Sequence, residues 1–256
     1  MRAVFALLLA ALLSACGSSG DEAANPPLAN HLLPEPHVAT PDYGRIGSGP
    51  VIVVLALDEE HTLHDAASTS GIVPDLISAG YTVLSLDLPC EGANADPQET
   101  NPLKCWAKRL AAGDRDFFVS FCSGLSDVLD AAGIRKAGIL GISRGGYVAT
   151  VCAAYDTRFT QIVLENPVTD LNYLTEFKRH PVDESLYNLQ QYIPYLQDRR
   201  KMLSIDKDDV RVGADLAVSF AKQLGADLEK TDAPNHTITP RVASAAAQWF
   251  VAQGAF

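Results

Sequence analysis

The stretch GILGISRGGY, residues 138–147, holds a serine placed for nucleophilic chemistry, Ser143. Gly141 and Gly145 remove side chains two positions to either side of it, so a strand can turn sharply into a helix with the hydroxyl at the tip. A serine hydroxyl is a weak nucleophile at neutral pH. It needs a general base within hydrogen-bond reach and a carboxylate to orient that base. Six histidines compete for the first role: His31, His37, His61, His64, His180 and His236. His31 and His37 lie in a Pro- and Asn-rich segment and His180 in a polar insertion, whereas His236 stands between an extended stretch and the last helical pattern, in DAPNHTITP. For the second role, Asp206, Asp208 and Asp209 crowd one turn downstream of the serine.

Such a set works only if the surrounding elements bring its members to one edge. Apolar β-rich runs alternate with helical patterns: PVIVVLAL, HDAASTSGIVPDLISAG, YTVLSLDLP, DRDFFVSFCSGLSDVLDAAG and KAGILGI. This alternation predicts a mostly parallel central sheet with helices on both faces. Ser143 closes a strand, and RGGYVATVCAAYD sets Tyr147, Val148, Val151 and Cys152 at helical spacing, so a helix begins right after it. Further strands are expected in TQIVLENP, in RKMLSID and near ADLEKTD, with helices in GADLAVSFAKQLG and TPRVASAAAQWFVAQ. With 256 residues, 47% of them hydrophobic, the chain suits one domain with a large core.

From about residue 50 to 256 this order resembles the α/β-hydrolase family. The resemblance is carried by the elbow GISRGG, by the turn LDLPCEG, similar to the family's strand-end DxPGxG, and by the order Ser, Asp, His. GxSRGG is similar to the motif of the dienelactone-hydrolase and serine-peptidase-like esterase branches. It implies the α/β-hydrolase fold, an acyl-enzyme on Ser143, His236 as general base and an orienting acid where RKMLSID ends. SIDKDDVRVGAD resembles the family's G-N-x-D-x-x-V arrangement, whose acid precedes a buried valine by three residues. Asp209 meets that spacing through Val212; Asp208 meets it only if the register slips by one. The resemblance implies no cofactor and a small-molecule ester or other acyl substrate. A peptidase or other acyl hydrolase, and a non-catalytic surface-binding lipoprotein on the same scaffold, are the alternatives.

Acyl transfer also needs donors aimed at the developing oxyanion. The backbone N–H of Arg144 is one candidate. The other is expected from the loop after the first core strand, where the family's usual His-Gly is replaced by LALDEEHTLHD, leaving the N–H groups of Leu57 and Asp58. In the same loop Glu60, His61, His64 and Asp65 fit one helical turn and raise a metal-site reading. HxxH without HExxH is a weak signal, an exposed polar loop accounts for these residues equally, and no metal is expected. Near 170–198, the insertion DLNYLTEFKRHPVDESLYNLQQYIPYLQD carries Tyr173, Phe177, Tyr187, Tyr192 and Tyr195. A short helical cap sits at this point in resembling hydrolases, and its aromatic residues would either line an acyl pocket or pack on the core.

Residues 1–16, MRAVFALLLAALLSAC, have the layout of a secretory signal: one basic residue, an apolar run and a small-residue end. LSAC resembles a bacterial lipobox, which implies cleavage before Cys16, lipidation of its sulfur and a cell-envelope location. Residues 17–49 read as a flexible tether, and 50–256 as the hydrolase domain with the cap insertion. Twenty Lys and Arg against thirty-one Asp and Glu give a net charge of −11, which disfavours nucleic acid and anionic head groups by charge. In an exported protein the remaining even number of cysteines permits disulfides. Cys90 and Cys105, in a loop-like stretch, are the expected bridge; Cys122 and Cys152, among apolar helical residues, read as buried thiols. Replacing Cys16 by Ala is expected to move the protein from the membrane to the soluble fraction on cell fractionation, and retention in the membrane would point to another anchor.

Overall fold

The computed structural model describes residues 43–254, so the signal, Cys16 and most of the tether lie outside the described residues. Short runs of aliphatic residues buried on both faces make parallel strands. Between the more exposed edge strands β1 (Gly44–Ile46) and β7 (Asp227–Thr231), such runs dominate β2 (Val51–Leu55), β3 (Thr82–Ser85), β4 (Ala137–Ile142), β5 (Phe159–Glu165) and β6 (Arg200–Asp206). The order across the sheet is β1-β3-β2-β4-β5-β6-β7. Only β1 runs antiparallel, pairing Arg45 with Leu84 at the edge. Residues 44–46 therefore belong to the sheet and not to a tether.

Among the described residues eight α-helices accompany the strands: α1 (Glu59–His64), α2 (Ile72–Ser78), α3 (Pro102–Ala111), α4 (Phe117–Ala131), α5 (Arg144–Tyr155), α6 (Glu184–Tyr187), α7 (Ala214–Leu224) and α8 (Pro240–Gln253). One face of the sheet is covered by α3, α4, α5, α7 and the insertion, the other by α1, α2 and α8. Two local expectations need correction. The run HDAASTSGIVPDLISAG is not one helix, because Ser70 (φ 51°) and Gly71 (φ 89°) enter left-handed conformations and α2 starts only after them. The stretch around Cys105 is not a loop. Asn101 accepts from the Lys104 N–H at 3.1 Å and Pro102 takes the first helical position, which together start α3.

Of the two readings of the insertion, the structure takes core packing for Phe177, Tyr187 and Tyr192, which are buried against the α5 side of the sheet. Tyr195 packs on the same cluster from a half-buried position. Trp106 anchors that layer: it is fully buried, donates from Nε1 to the Pro89 carbonyl at 2.7 Å and meets Phe118 edge-on at 5.0 Å between ring centroids. The Tyr147 hydroxyl donates to the Tyr187 carbonyl at 2.7 Å, tying the insertion to α5.

Cys90 and Cys105 are bridged across a sequence separation of 15. Cys122 and Cys152, expected as thiols, are bridged as well, because α4 and α5 pack so closely that their Cα atoms lie 4.9 Å apart. A cross-link over a separation of 30 residues restricts the unfolded chain by roughly 3–4 kcal/mol in the chain-entropy account. Mass mapping of the non-reduced protein is expected to find both pairs. The Cys122→Ala, Cys152→Ala double variant is expected to lose a few kcal/mol of stability, about 3, in denaturant unfolding.

Candidate active site

The site is built where β4 turns into α5. Ser143 adopts φ 54°, ψ −118°, a left-handed corner that projects its side chain off the strand end. Both glycines of the motif are required by close approach. A Cβ on Gly145 would lie 1.9 Å from the Leu55 carbonyl oxygen, and one on Gly141 would lie 2.4 Å from the Gly145 carbonyl oxygen. The corner is fixed by two backbone bonds, Ser143 N–H to Glu165 O and Val168 N–H to Ser143 O, each 2.9 Å.

Ser143 Oγ lies 2.8 Å from His236 Nε2, and His236 Nδ1 lies 2.8 Å from Asp209 Oδ2. The distances fit a relay in which Nδ1–H donates to the carboxylate and Nε2 accepts from the serine hydroxyl. The Asp209 side chain is fully buried, and its other oxygen accepts the backbone N–H groups of Arg211 at 2.8 Å and Val212 at 3.1 Å. Burial works to raise this carboxyl, but the bond and charge of His236 and the two backbone donors outweigh it and hold it below the ordinary carboxylate range. Asp208 is exposed on the turn, and Asp206 points into another network. His180 is exposed.

Arg144 follows Ser143 as the first residue of α5, where backbone N–H groups lack intrahelical acceptors. Its side chain is pinned: Nε donates to Glu91, a buried carboxylate that desolvation raises and the guanidinium lowers, with the net shift upward. Glu91 follows the bridged Cys90, so the ion pair links the disulfide loop to the turn at Ser143. The other oxyanion candidates are less simply placed. Leu57 lines the serine's cleft, but its N–H donates to Thr62 Oγ1 at 3.1 Å. Asp58 caps α1, accepting from the His61 N–H at 2.8 Å and lying 2.7 Å from His61 Nδ1.

The cleft at Ser143 has a volume of about 350 Å³ and is bounded by Ala56, Leu57, Ser68, Ser70, Ile142, Arg144, Asn166, His236 and Ile238. No aromatic residue of the insertion borders it; Tyr173 lies in a neighbouring groove with Val210 and Asn235. Around Glu60, His61, His64 and Asp65 the polar groups serve local structure. His64 Nε2 is 3.9 Å from Glu60, and Asp65 accepts from the Ala67 N–H and the Ser68 hydroxyl. Among the described residues no three His, Cys, Asp or Glu side chains converge as metal ligands would.

A seven-stranded, mostly parallel sheet with helices on both faces and a serine elbow after a central strand is the α/β-hydrolase fold. Comparison of structures agrees. The chain is similar to MGS-MChE2, an α/β-hydrolase enzyme from the metagenome of lagoon sediments of Mar Chica, Morocco, at 18% identity and TM-score 0.55, over 82% of this chain and 94% of that one. It is similar to the esterase Pf2001 of Pyrococcus furiosus at 16% identity and TM-score 0.58, over 81% and 89% of the two chains. It is also similar to a monoacylglycerol lipase of Paleococcus ferrophilus at 12% identity and TM-score 0.57, over 83% and 99%. No protein-family model and no curated protein matches the sequence. The likeness to these structures is one of fold.

Sequence reasoning missed Glu165, the last residue of β5. It is fully buried, neither carboxyl oxygen has a hydrogen-bond partner among the described residues, and burial, reinforced by the charges of Glu229 and Asp206, pushes its carboxyl up to about 8. The fold therefore binds this proton more tightly than the unfolded chain does. Stability is intact below about pH 4.5, the ordinary carboxyl value, and is lost progressively as the pH rises toward 8. Glu165→Gln is expected to remove that slope, raising Tm at pH 8 with little change at pH 4.5, as followed by thermal unfolding across the pH range.

Proposed function

We propose that the protein is an exported, lipid-anchored serine hydrolase that cleaves carboxylic esters through an acyl-enzyme on Ser143. The observation that carries this reading is the unbroken relay from Asp209 through His236 to Ser143, with 2.8 Å at each step. As Ser143 Oγ bonds to the ester carbonyl carbon, its proton passes to His236 Nε2, and Asp209 stabilises the imidazolium that forms. The carbonyl oxygen gains the negative charge, which the Arg144 N–H is placed to meet. His236 then hands its proton to the departing alcohol as the C–O bond breaks. A water repeats the sequence on the acyl-enzyme, losing a proton to His236, and the acid leaves as Ser143 regains its hydrogen.

The second oxyanion donor carries a condition. For the Leu57 N–H to serve, it must exchange its bond to the Thr62 hydroxyl for one to the substrate oxygen. A hole with one donor in place would be weaker, by about 10²–10³ in kcat for each missing donor.

Purified protein is expected to hydrolyse short-chain nitrophenyl esters, and Ser143→Ala to abolish turnover, by about a millionfold if the relay acts as a unit. Asp209→Asn is expected to lower kcat by about 10⁴ through the wrong imidazole tautomer. The same change at exposed Asp208 should leave kcat near its original value. Steady-state kinetics of the three variants checks this, and a reversed ranking of Asp208 and Asp209 would contradict the assignment.

A further inference from the structure

The loop that carries the base is held in an unfavourable shape. Asn235 (φ 29°) and His236 (φ 58°) are consecutive non-glycine residues in the left-handed region, and such backbone persists only where its surroundings enforce it. The next N–H, that of Thr237, donates to Asp206 Oδ2 at 2.8 Å.

Asp206 is the last residue of β6 and is buried, with 1% exposure. The same Oδ2 accepts from Asn166 Nδ2 at 2.8 Å, and Oδ1 accepts from the Thr231 hydroxyl at the end of β7. In return, the Asp206 N–H donates to Asn166 Oδ1 at 2.9 Å. A buried carboxylate tolerates this position because donors surround it. Asn166 is also buried and left-handed (φ 42°), and it follows Glu165, whose carbonyl receives the Ser143 N–H. One carboxylate thus joins the segment that backs the nucleophile to the loop that carries the base.

We propose that Asp206 is a positioning residue that sets the Ser143–His236 separation by holding the Asn166 strand end and the Thr237 backbone on one side chain. This rests on the reading of Ser143 and His236 as nucleophile and base. It differs from a general structural role in what it controls: the reacting distance, and so kcat, with substrate binding left alone. A displacement of about 1 Å in such a pair is enough to lower the rate about a hundredfold.

The test compares Asp206→Ala with Asp206→Asn. Asparagine can keep every side-chain bond, its oxygen facing Thr237 and Asn166 and its amide facing the Thr231 hydroxyl; alanine loses all three and keeps only the backbone N–H bond to Asn166 Oδ1. Asp206→Ala is expected to lower kcat on a nitrophenyl ester about a hundredfold with KM within about twofold of the parent, and Asp206→Asn to restore most of the rate. The far-downfield proton resonance of the His236 Nδ1–H bond to Asp209 is expected to weaken or vanish in the alanine variant and persist in the asparagine variant. Where Asp206→Ala fails to fold, Asn166→Gly takes its place, since glycine accepts the left-handed backbone while removing both reciprocal bonds. Unchanged kcat, a loss confined to KM, or equal losses in the alanine and asparagine variants would overturn the proposal. If the parent protein has no turnover, the hydrolase reading fails, and the resonance alone decides whether Asp206 positions His236.

Discussion

Everything at the reactive edge depends on how closely the start of α5 approaches the end of β2. Gly145 lies so near the Leu55 carbonyl that any side chain would collide with it, and this contact lets the chain reverse at Ser143. A serine held left-handed at such a corner costs about 1–3 kcal/mol. The Glu165 carbonyl and the Val168 N–H hold it there from the neighbouring strand end. The hydrophobic layers on both faces of the sheet make those strand ends rigid enough to bear the strain.

The polar groups at this edge follow from that geometry. Parallel strands deliver their last residues to one side, so Glu165, Asp206 and the turn holding Asp209 crowd together, and three acidic groups in a small volume must be separated by environment. Asp209 is ionised by its histidine and two backbone donors. Asp206 is surrounded by donors from three chain segments. Glu165 has none among the described residues, and its burial pushes its carboxyl up to about 8. Arg144 is bound to buried Glu91 and brings no free cation to the cleft by its Nε.

The alternation of apolar runs and helical patterns was enough to read the parallel sheet, because each period reflects burial of a single element. Ser143 was legible because the elbow needs its two glycines at fixed spacing, and Asp209 was preferred to Asp208 because only Asp209 precedes a valine, Val212, at the spacing of the resembling family; the structure buries that valine. Features made by distant partners were not legible. The bridge between Cys122 and Cys152 depends on the packing of α4 against α5, and either cysteine alone looks like an ordinary core residue. β1 is three residues long and gains its identity only by pairing with β3. Asp206 and Asn166 are 40 positions apart, and nothing near either one announces their reciprocal bonds. The start of α3 is a different case: Asn-Pro before an apolar period is a local cap signal, yet the loop-like composition around it leads the sequence reading to a loop.

The central claim is that His236 activates Ser143 as a nucleophile, and covalent labelling by a fluorophosphonate tests it without any choice of substrate. The reagent is expected to modify Ser143 alone, as mapped by peptide mass spectrometry, at a rate that falls when His236 is replaced by Ala. Correctly folded protein that resists labelling, or that labels at another serine, would contradict the account.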